Sequence, residues 1–193
     1  MPIKAAYWLN DAFALVQPFI DAPNLADHPF LQNKSKVTAE GALRFSLNLV
    51  QTVITLHESG VSHGDLKPQN ILACGDEPAP QFVDYLDFCS SSDGELRTTA
   101  YSPAAGGTVE RDRYAATRIV EEILTGVALS SAAQTGIVTG IEKCRGGDAL
   151  ANATLLPLLD ALQRALNPPS QPKFRELSIG IPAAPTKELL PDD

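Results

Sequence analysis

Cysteine is scarce: Cys74, Cys89 and Cys144 are the three among 193 residues. They are an odd number, widely separated, with no CxxC pair and no paired histidines at ligand spacing, which excludes a disulfide framework and a zinc knot. They read as free thiols, small apolar groups in a reducing compartment. Basic charge is short as well. Fifteen Lys and Arg face 23 Asp and Glu, a formal charge of −8 with a pI near 4.8. A surface of that sign argues against nucleic acid and anionic membranes as partners. No apolar run approaches the roughly 18 residues of a membrane span, and Asp11 interrupts the one N-terminal apolar stretch that could imitate a signal peptide. A soluble, cytoplasmic protein is expected. Glycine is missing from the first forty residues, Gly41 being the first, and no internal repeat or low-complexity tract occurs.

What is present suffices for one ordinary core and hardly for two, since 44% of the residues are hydrophobic. Phe13-Ala14-Leu15-Val16, bounded by turn formers, predicts a strand over 12–17, with Tyr7 and Trp8 as core aromatics nearby. Leu43, Leu47, Val50 and Ile54 recur at helical spacing and predict a helix over 40–58, with Thr38 as N-cap and Gly60 just past its end. Gly64, Pro68, Gly75, Pro78 and Pro80 exclude a helix over 61–80; two short paired strands at 70–73 and 81–83 fit instead. Residues 89–111 are polar and rich in glycine. A second, buried helix is expected to start at Asp112, run through Tyr114, Ile119, Ile123 and Leu124, and close at Gly126. A third is expected over about 153–166, stopped by Pro168 and Pro169, before a proline-rich tail.

The chemistry lies in His63-Gly64-Asp65-Leu66-Lys67-Pro68-Gln69-Asn70, followed by Phe82-Val83-Asp84. This segment resembles the HxDLKPxN catalytic loop of eukaryotic-type protein kinases, with a metal-binding Asp further on. Six fixed letters at fixed spacing arise at a given position by chance about once in 10⁸. Phosphoryl transfer through a loose transition state needs a carboxylate near the attacking hydroxyl, a cation near the γ-phosphate and oxygen ligands for Mg²⁺. Asp65, Lys67 and Asn70 are those residue types. In extended backbone, residues two apart point the same way, so Lys67 can sit beside Asp65, while Pro68 stiffens the turn that returns Asn70.

The resemblance extends further. Residues 56–63 look like the long helix entering that loop, and Tyr101-Ser102-Pro103 like the end of an activation segment. Asp112-Arg113-Tyr114 resembles the start of the central helix whose Asp hydrogen-bonds the loop backbone. Phe13 to Asp21 look like the last N-lobe strand and hinge. The implied fold is mainly α (α+β), a protein kinase-like C-terminal lobe: a helical bundle with short β-hairpins around the catalytic loop. The implied units are a residual N-lobe strand and hinge over 1–20, the C-lobe over 21–178 and a proline-rich acidic tail over 179–193. By the same resemblance the activity is that of a Ser/Thr protein kinase using ATP and Mg²⁺ on a protein substrate. Asp65 is the base, Lys67 orients the γ-phosphate, and Asn70 and Asp84 hold the metal. Gln17 is the gatekeeper, Phe19, Ile20 and Leu72 face the adenine, and His63 and Asp112 are structural.

The departures matter as much. No glycine-rich loop precedes the hinge and the one earlier lysine, Lys4, lies in no VAIK-like strand, so nearly all of an N-lobe is missing from this sequence. Weak or absent phosphate transfer is expected unless a longer polypeptide, a partner protein or a second copy supplies it. Gly64 replaces the arginine that in many family members pairs with a phosphorylated activation loop, which implies activity not gated that way. Asp84 follows an apolar strand, whereas Asp87-Phe88 better imitates the usual Asp-Phe pair; both stay candidates for the metal. Ala104-Ala105 stands where Pro-Glu usually closes the segment, so Arg175 would lack its carboxylate. The Asp-Tyr-Leu-Asp-Phe variant looks more like bacterial kinases than animal ones. Two rivals remain: an aminoglycoside- or choline kinase-type phosphotransferase, because HGD opens that loop too, and a pseudokinase that docks a partner protein. His28 and His57 show no convergent carboxylate or cysteine pattern and are expected to be helix-end or surface imidazoles without a role.

Overall fold

The computed structural model describes residues 5–9, 12–16, 19–85, 98–103, 107–145 and 154–167, the first two stretches as backbone. Strands β1 (Ala5–Leu9) and β2 (Ala12–Val16) form an antiparallel hairpin with Leu9 opposite Ala12. The expected strand is therefore present, one residue shorter, and paired with a partner strand that includes Tyr7 and Trp8. A short α1 (Pro29–Gln32) follows, then the long α2 (Ala39–Glu58). Thr38 caps α2 as expected: its hydroxyl accepts the Gly41 N–H at 3.0 Å, an arrangement worth about 1 kcal/mol.

The face that α2 buries is turned from the one its large aliphatics suggest. Phe45, Leu49, Val50 and Val53 are buried with Ala42 and Leu43, whereas Leu47 and Ile54 are half-exposed. The reason lies in its neighbours, because α2 packs on α3, α5 and β4 at once. Strands β3 (Ile71–Cys74) and β4 (Ala79–Phe82) pair antiparallel, Ile71 opposite Phe82, around a turn at Gly75 with φ +87. Positive φ suits glycine there. The segment entering from residue 19 runs beside β3: Leu25 N–H donates to Ile71 O at 2.7 Å and Ala73 N–H to Pro23 O at 2.9 Å.

Helix α3 (Thr108–Leu124) is buried as predicted, through Ala115, Ala116, Ile119, Val120 and Ile123. It begins one turn earlier than Asp112. That residue sits in the second turn, where its carboxylate is not spent on capping its own helix. Gly126, at φ +78, follows the helix end. Helix α4 (Ser131–Arg145), which no sequence expectation covered, packs on α5 (Leu156–Leu166). The last helix thus starts later than expected. The core joins Leu25, Phe30, Phe45, Leu49, Ile71, Ile119, Ile123, Leu158 and Leu162 in one cluster, so the described chain is mainly helical with two small hairpins. Among the described residues no helix is long and apolar enough to cross a membrane.

Candidate active site

The site is built where α2 ends. Gly60 N–H donates to His57 O at 2.9 Å and Val61 N–H to Leu56 O at 3.2 Å, with Gly60 at φ +73. This pair of bonds closes the helix and reverses the chain, delivering residues 62–70 to the bundle's edge. Ser62 donates to the Thr108 hydroxyl at 2.6 Å, tying the loop to the start of α3.

Asp112 then fixes the loop backbone. Its carboxylate, fully buried, accepts the His63 N–H on Oδ2 at 2.6 Å and the Gly64 N–H on Oδ1 at 2.9 Å. Hydrogen bonds to an ionised acceptor are about twice as strong as neutral ones, and a buried carboxylate needs them. Gly64 sits at φ +83, a conformation that L side chains rarely adopt.

His63 is fully buried between Phe82, at 5.9 Å edge-on, and Tyr85, at 4.6 Å. Its partners define its tautomer. Nε2 lies 2.8 Å from Val83 O, which only accepts, so Nε2 carries the proton; Nδ1 accepts the Asp65 N–H at 3.3 Å. Burial holds the imidazole below its ordinary pKa, against the raising effects of the Val83 carbonyl and of Asp112, Asp65 and Asp84.

The three polar residues of the motif meet. Lys67 Nζ lies 2.5 Å from Asp65 Oδ2, and Asn70 Nδ2 donates to Asp65 O at 3.0 Å and reaches its Oδ2 at 3.4 Å. The Asp65 side chain is 10% exposed and that of Lys67 26%, so the pair borders solvent. Pro68–Asn70 forms the single 3₁₀ turn that returns Asn70. A residue that sequence reasoning missed completes the group: Thr98 donates its hydroxyl to Asp65 Oδ1 at 3.0 Å and lies 3.5 Å from Lys67 Nζ. Nothing in its own neighbourhood marks it. Its segment is held on α3 by Tyr101, whose hydroxyl donates to Glu122 Oε2 at 3.0 Å and is pushed up to about 12 by burial and that bond.

Asp84 is placed by β4. Val83 N–H donates to Asn70 O at 3.0 Å, which brings the residue after it beside Asn70. Asp84 is exposed and has φ +58, the one described residue other than glycine in the left-handed region. Such strain costs on the order of 1–3 kcal/mol and gathers at functional positions. Phe19 is 89% exposed, while Ile20, on the segment that leads in beside β3, and Leu72, in β3 itself, are half-buried. Gln17, Asp87, Ala104-Ala105 and Arg175 lie outside the described residues.

Among the described residues no three His, Cys, Asp or Glu side chains converge as a ready metal cage. The donor set still fits Mg²⁺, which is bound through one or two carboxylates plus phosphate oxygens and water rather than by an all-protein cage. Asn70 offers a hard oxygen beside Asp65, and Asp84 offers a carboxylate next to Val83, whose N–H is bonded to Asn70 O. His57, set aside in the sequence, does have a carboxylate partner: Nε2 lies 3.1 Å from Asp112 Oδ2. His28 caps α1, accepting the Phe30 N–H at 3.3 Å, a helix-end role as expected.

No family model matches the chain. Among curated proteins it is similar to serine/threonine-protein kinase PkaA of Streptomyces coelicolor, 27% identical over 192 residues, 89% of this chain and 34% of that protein. A probable myosin light chain kinase of Dictyostelium discoideum is 33% identical over 98 residues, 49% of this chain and 24% of that protein. Serine/threonine-protein kinase unc-51 of Caenorhabditis elegans is 33% identical over 74 residues, 37% and 8% respectively. The chain spans about a third or less of each of these relatives. In sequence the chain is thus similar to Ser/Thr protein kinases.

Proposed function

We propose that this chain carries the catalytic half of a Ser/Thr protein kinase-type phosphotransferase, moving the γ-phosphoryl group of ATP to a hydroxyl of a protein. The observation that carries this reading is the convergence of Lys67 Nζ, Asn70 Nδ2 and the Thr98 hydroxyl on one carboxylate, Asp65. A carboxylate that already receives a hydroxyl's hydrogen bond has the geometry to accept a proton from an acceptor hydroxyl. Asp65 is accordingly the general base. Lys67 neutralises charge on the transferred group, which in a loose transition state is the main work left to the protein. Asn70 Oδ1 and the Asp84 carboxylate hold Mg²⁺, which when bound neutralises charge on the phosphate oxygens. Phe19, Ile20 and Leu72 supply apolar surface for the base of the nucleotide. His63 and Asp112 keep the loop in register.

The reading is tested by phosphate transfer from labelled ATP to Ser- and Thr-containing peptides, using this chain and any longer polypeptide that contains it. Asp65→Asn keeps the shape and removes the base, and is expected to lower kcat by about 10²–10⁴. Chelation of Mg²⁺ is expected to abolish transfer. Transfer that survives Asp65→Asn unchanged would overturn the assignment; transfer to small alcohols or aminoglycosides in place of peptides would favour the other phosphotransferase class. Binding of a partner protein without any transfer, unaffected by Asp65→Asn, would favour a docking module.

A further inference from the structure

We propose that Arg118 decides the charge of the protein segments this site accepts: it withholds Glu121 and Glu122 from the substrate, so the residues around the acceptor hydroxyl are uncharged or acidic rather than basic. The inference rests on reading Asp65 as the base for a protein hydroxyl. Beside that base stands the turn 98–101. Thr98 donates to Asp65 Oδ1, Tyr101 N–H donates to Thr98 O at 2.9 Å, and the Tyr101 hydroxyl donates to Glu122 Oε2 at 3.0 Å. Thr99 and Ala100 are exposed on its outer side. Glu122 is therefore one 3₁₀ turn and one tyrosine side chain away from Asp65, a span that about four residues of extended peptide cover at roughly 3.3 Å each. A bound segment running over this turn passes both glutamates.

Two half-exposed carboxylates on a chain of net charge −8 would ordinarily draw Lys or Arg. Here they are already engaged from within. Arg118 Nη1 donates to Glu121 Oε2 at 2.8 Å and its Nη2 lies 3.6 Å from Glu122 Oε1, so one planar guanidinium spans both. Arg145 Nη2 donates to the same Glu121 oxygen at 2.9 Å, while its Nε is bonded to Thr117 at 2.7 Å and its guanidinium lies over the Tyr114 ring. Lys34 Nζ adds a third cation, bonded to the carbonyls of Glu122 and Ile123 at 2.6 and 2.7 Å. Three cations thus surround two carboxylates. On the loop itself, the exposed Gln69 carries no charge. A basic side chain arriving with the substrate would have to displace Arg118 from both glutamates. The pairs border solvent, Arg118 being 35% exposed and Glu121 42%, so they contribute little to stability and their removal leaves the fold in place.

The test needs binding first and activity second. Two Ser-containing peptides, identical except that one carries Arg and the other Glu at the four positions on either side of the serine, are titrated into the ¹⁵N-labelled full chain, and the Thr99 and Ala100 amides report binding. Wild type is expected to bind the Glu peptide at least as tightly as the Arg peptide. Arg118→Ala should move the ratio of the two affinities toward the Arg peptide by about three- to tenfold, what one or two partly exposed charge pairs supply, and added salt should shrink the shift. Arg118→Lys keeps the charge and the wild-type order. Arg164→Ala, which removes the same charge from an exposed pair with Asp160 on α5, also leaves the order unchanged. A wild type that prefers the Arg peptide, an Arg118→Ala ratio equal to wild type, an equal shift in Arg164→Ala, or no binding of either peptide would each overturn the proposal. Where phosphate transfer is measurable, kcat/KM for the two peptides follows the same order. Binding in the expected order without any transfer counts against the phosphotransfer reading, while the role of Arg118 stands.

Discussion

His63 shows how a single buried group can couple the site to solution conditions. Its Nε2 proton goes to Val83 O and its Nδ1 accepts from Asp65 N–H, so both nitrogens are engaged only while the ring is neutral. Burial lowers its folded pKa below the ordinary 6.5. The unfolded chain therefore binds the proton more tightly. The contribution to stability is complete above pH 6.5 and is lost as pH falls from there through the folded value. Urea midpoints measured from about pH 7 down to about pH 5 should fall more steeply for wild type than for His63→Gln, which has nothing to titrate there. Parallel slopes would mean that His63 is not held neutral. Gly64 and Asp65 belong to the same scale. The types and spacing of Asp65, Lys67 and Asn70 could be read from the motif because the backbone between them is short and stiffened by Pro68. Thr98 and His57 could not, because each reaches the site through a tertiary contact that no local pattern records.

At the scale of elements, α4 and its contact with α5 went unforeseen for a physical reason. Ile137, Ile141 and Cys144 are buried at helical spacing, but Gly136 and Gly140 lie among them, and glycine is the poorest helix former short of proline. The two glycines serve different ends. A Cβ on Gly140 would lie 3.0 Å from Pro157 O, 3.1 Å from the Leu158 Cα and 3.3 Å from the Ala161 Cβ; two of these are backbone atoms that cannot turn aside. A Cβ on Gly136 would meet nothing within 4 Å. Gly136→Ala is therefore expected to stabilise by about 0.5–1 kcal/mol. Gly140→Ala gains the same propensity and adds about 1–3 kcal/mol of overpacking, so it is expected to be neutral to destabilising. Denaturant midpoints that rise equally for both would contradict the close approach of α4 and α5. The ends of α2 were legible because Thr38 and Gly60 act through their own backbone. Its buried face was not, since three neighbouring elements decide which residues they cover.

On the scale of the whole molecule, one hydrophobic cluster supports the loop from below. Leu66, Ile71 and Phe82 flank the polar residues of the site and belong to the same cluster as Leu49, Ile119 and Leu158. The site thus lies at the border of the core, with the Asp65–Lys67 pair reaching solvent and Asp84 exposed. The mainly helical architecture and the β3–β4 hairpin around the loop could be foreseen from the sequence; the central claim adds that the edge of this bundle takes a metal-bound nucleotide. Paramagnetic relaxation by Mn²⁺, which occupies Mg²⁺-type oxygen sites, tests that claim most directly. With Mn²⁺ and ATP added to the full chain, the amide signals of Asn70, Val83 and Asp84 should broaden first. Those of Gly136 in α4 should stay sharp, and Asp84→Asn should weaken the effect. Broadening centred elsewhere, or none at saturating Mn–ATP, would contradict the account.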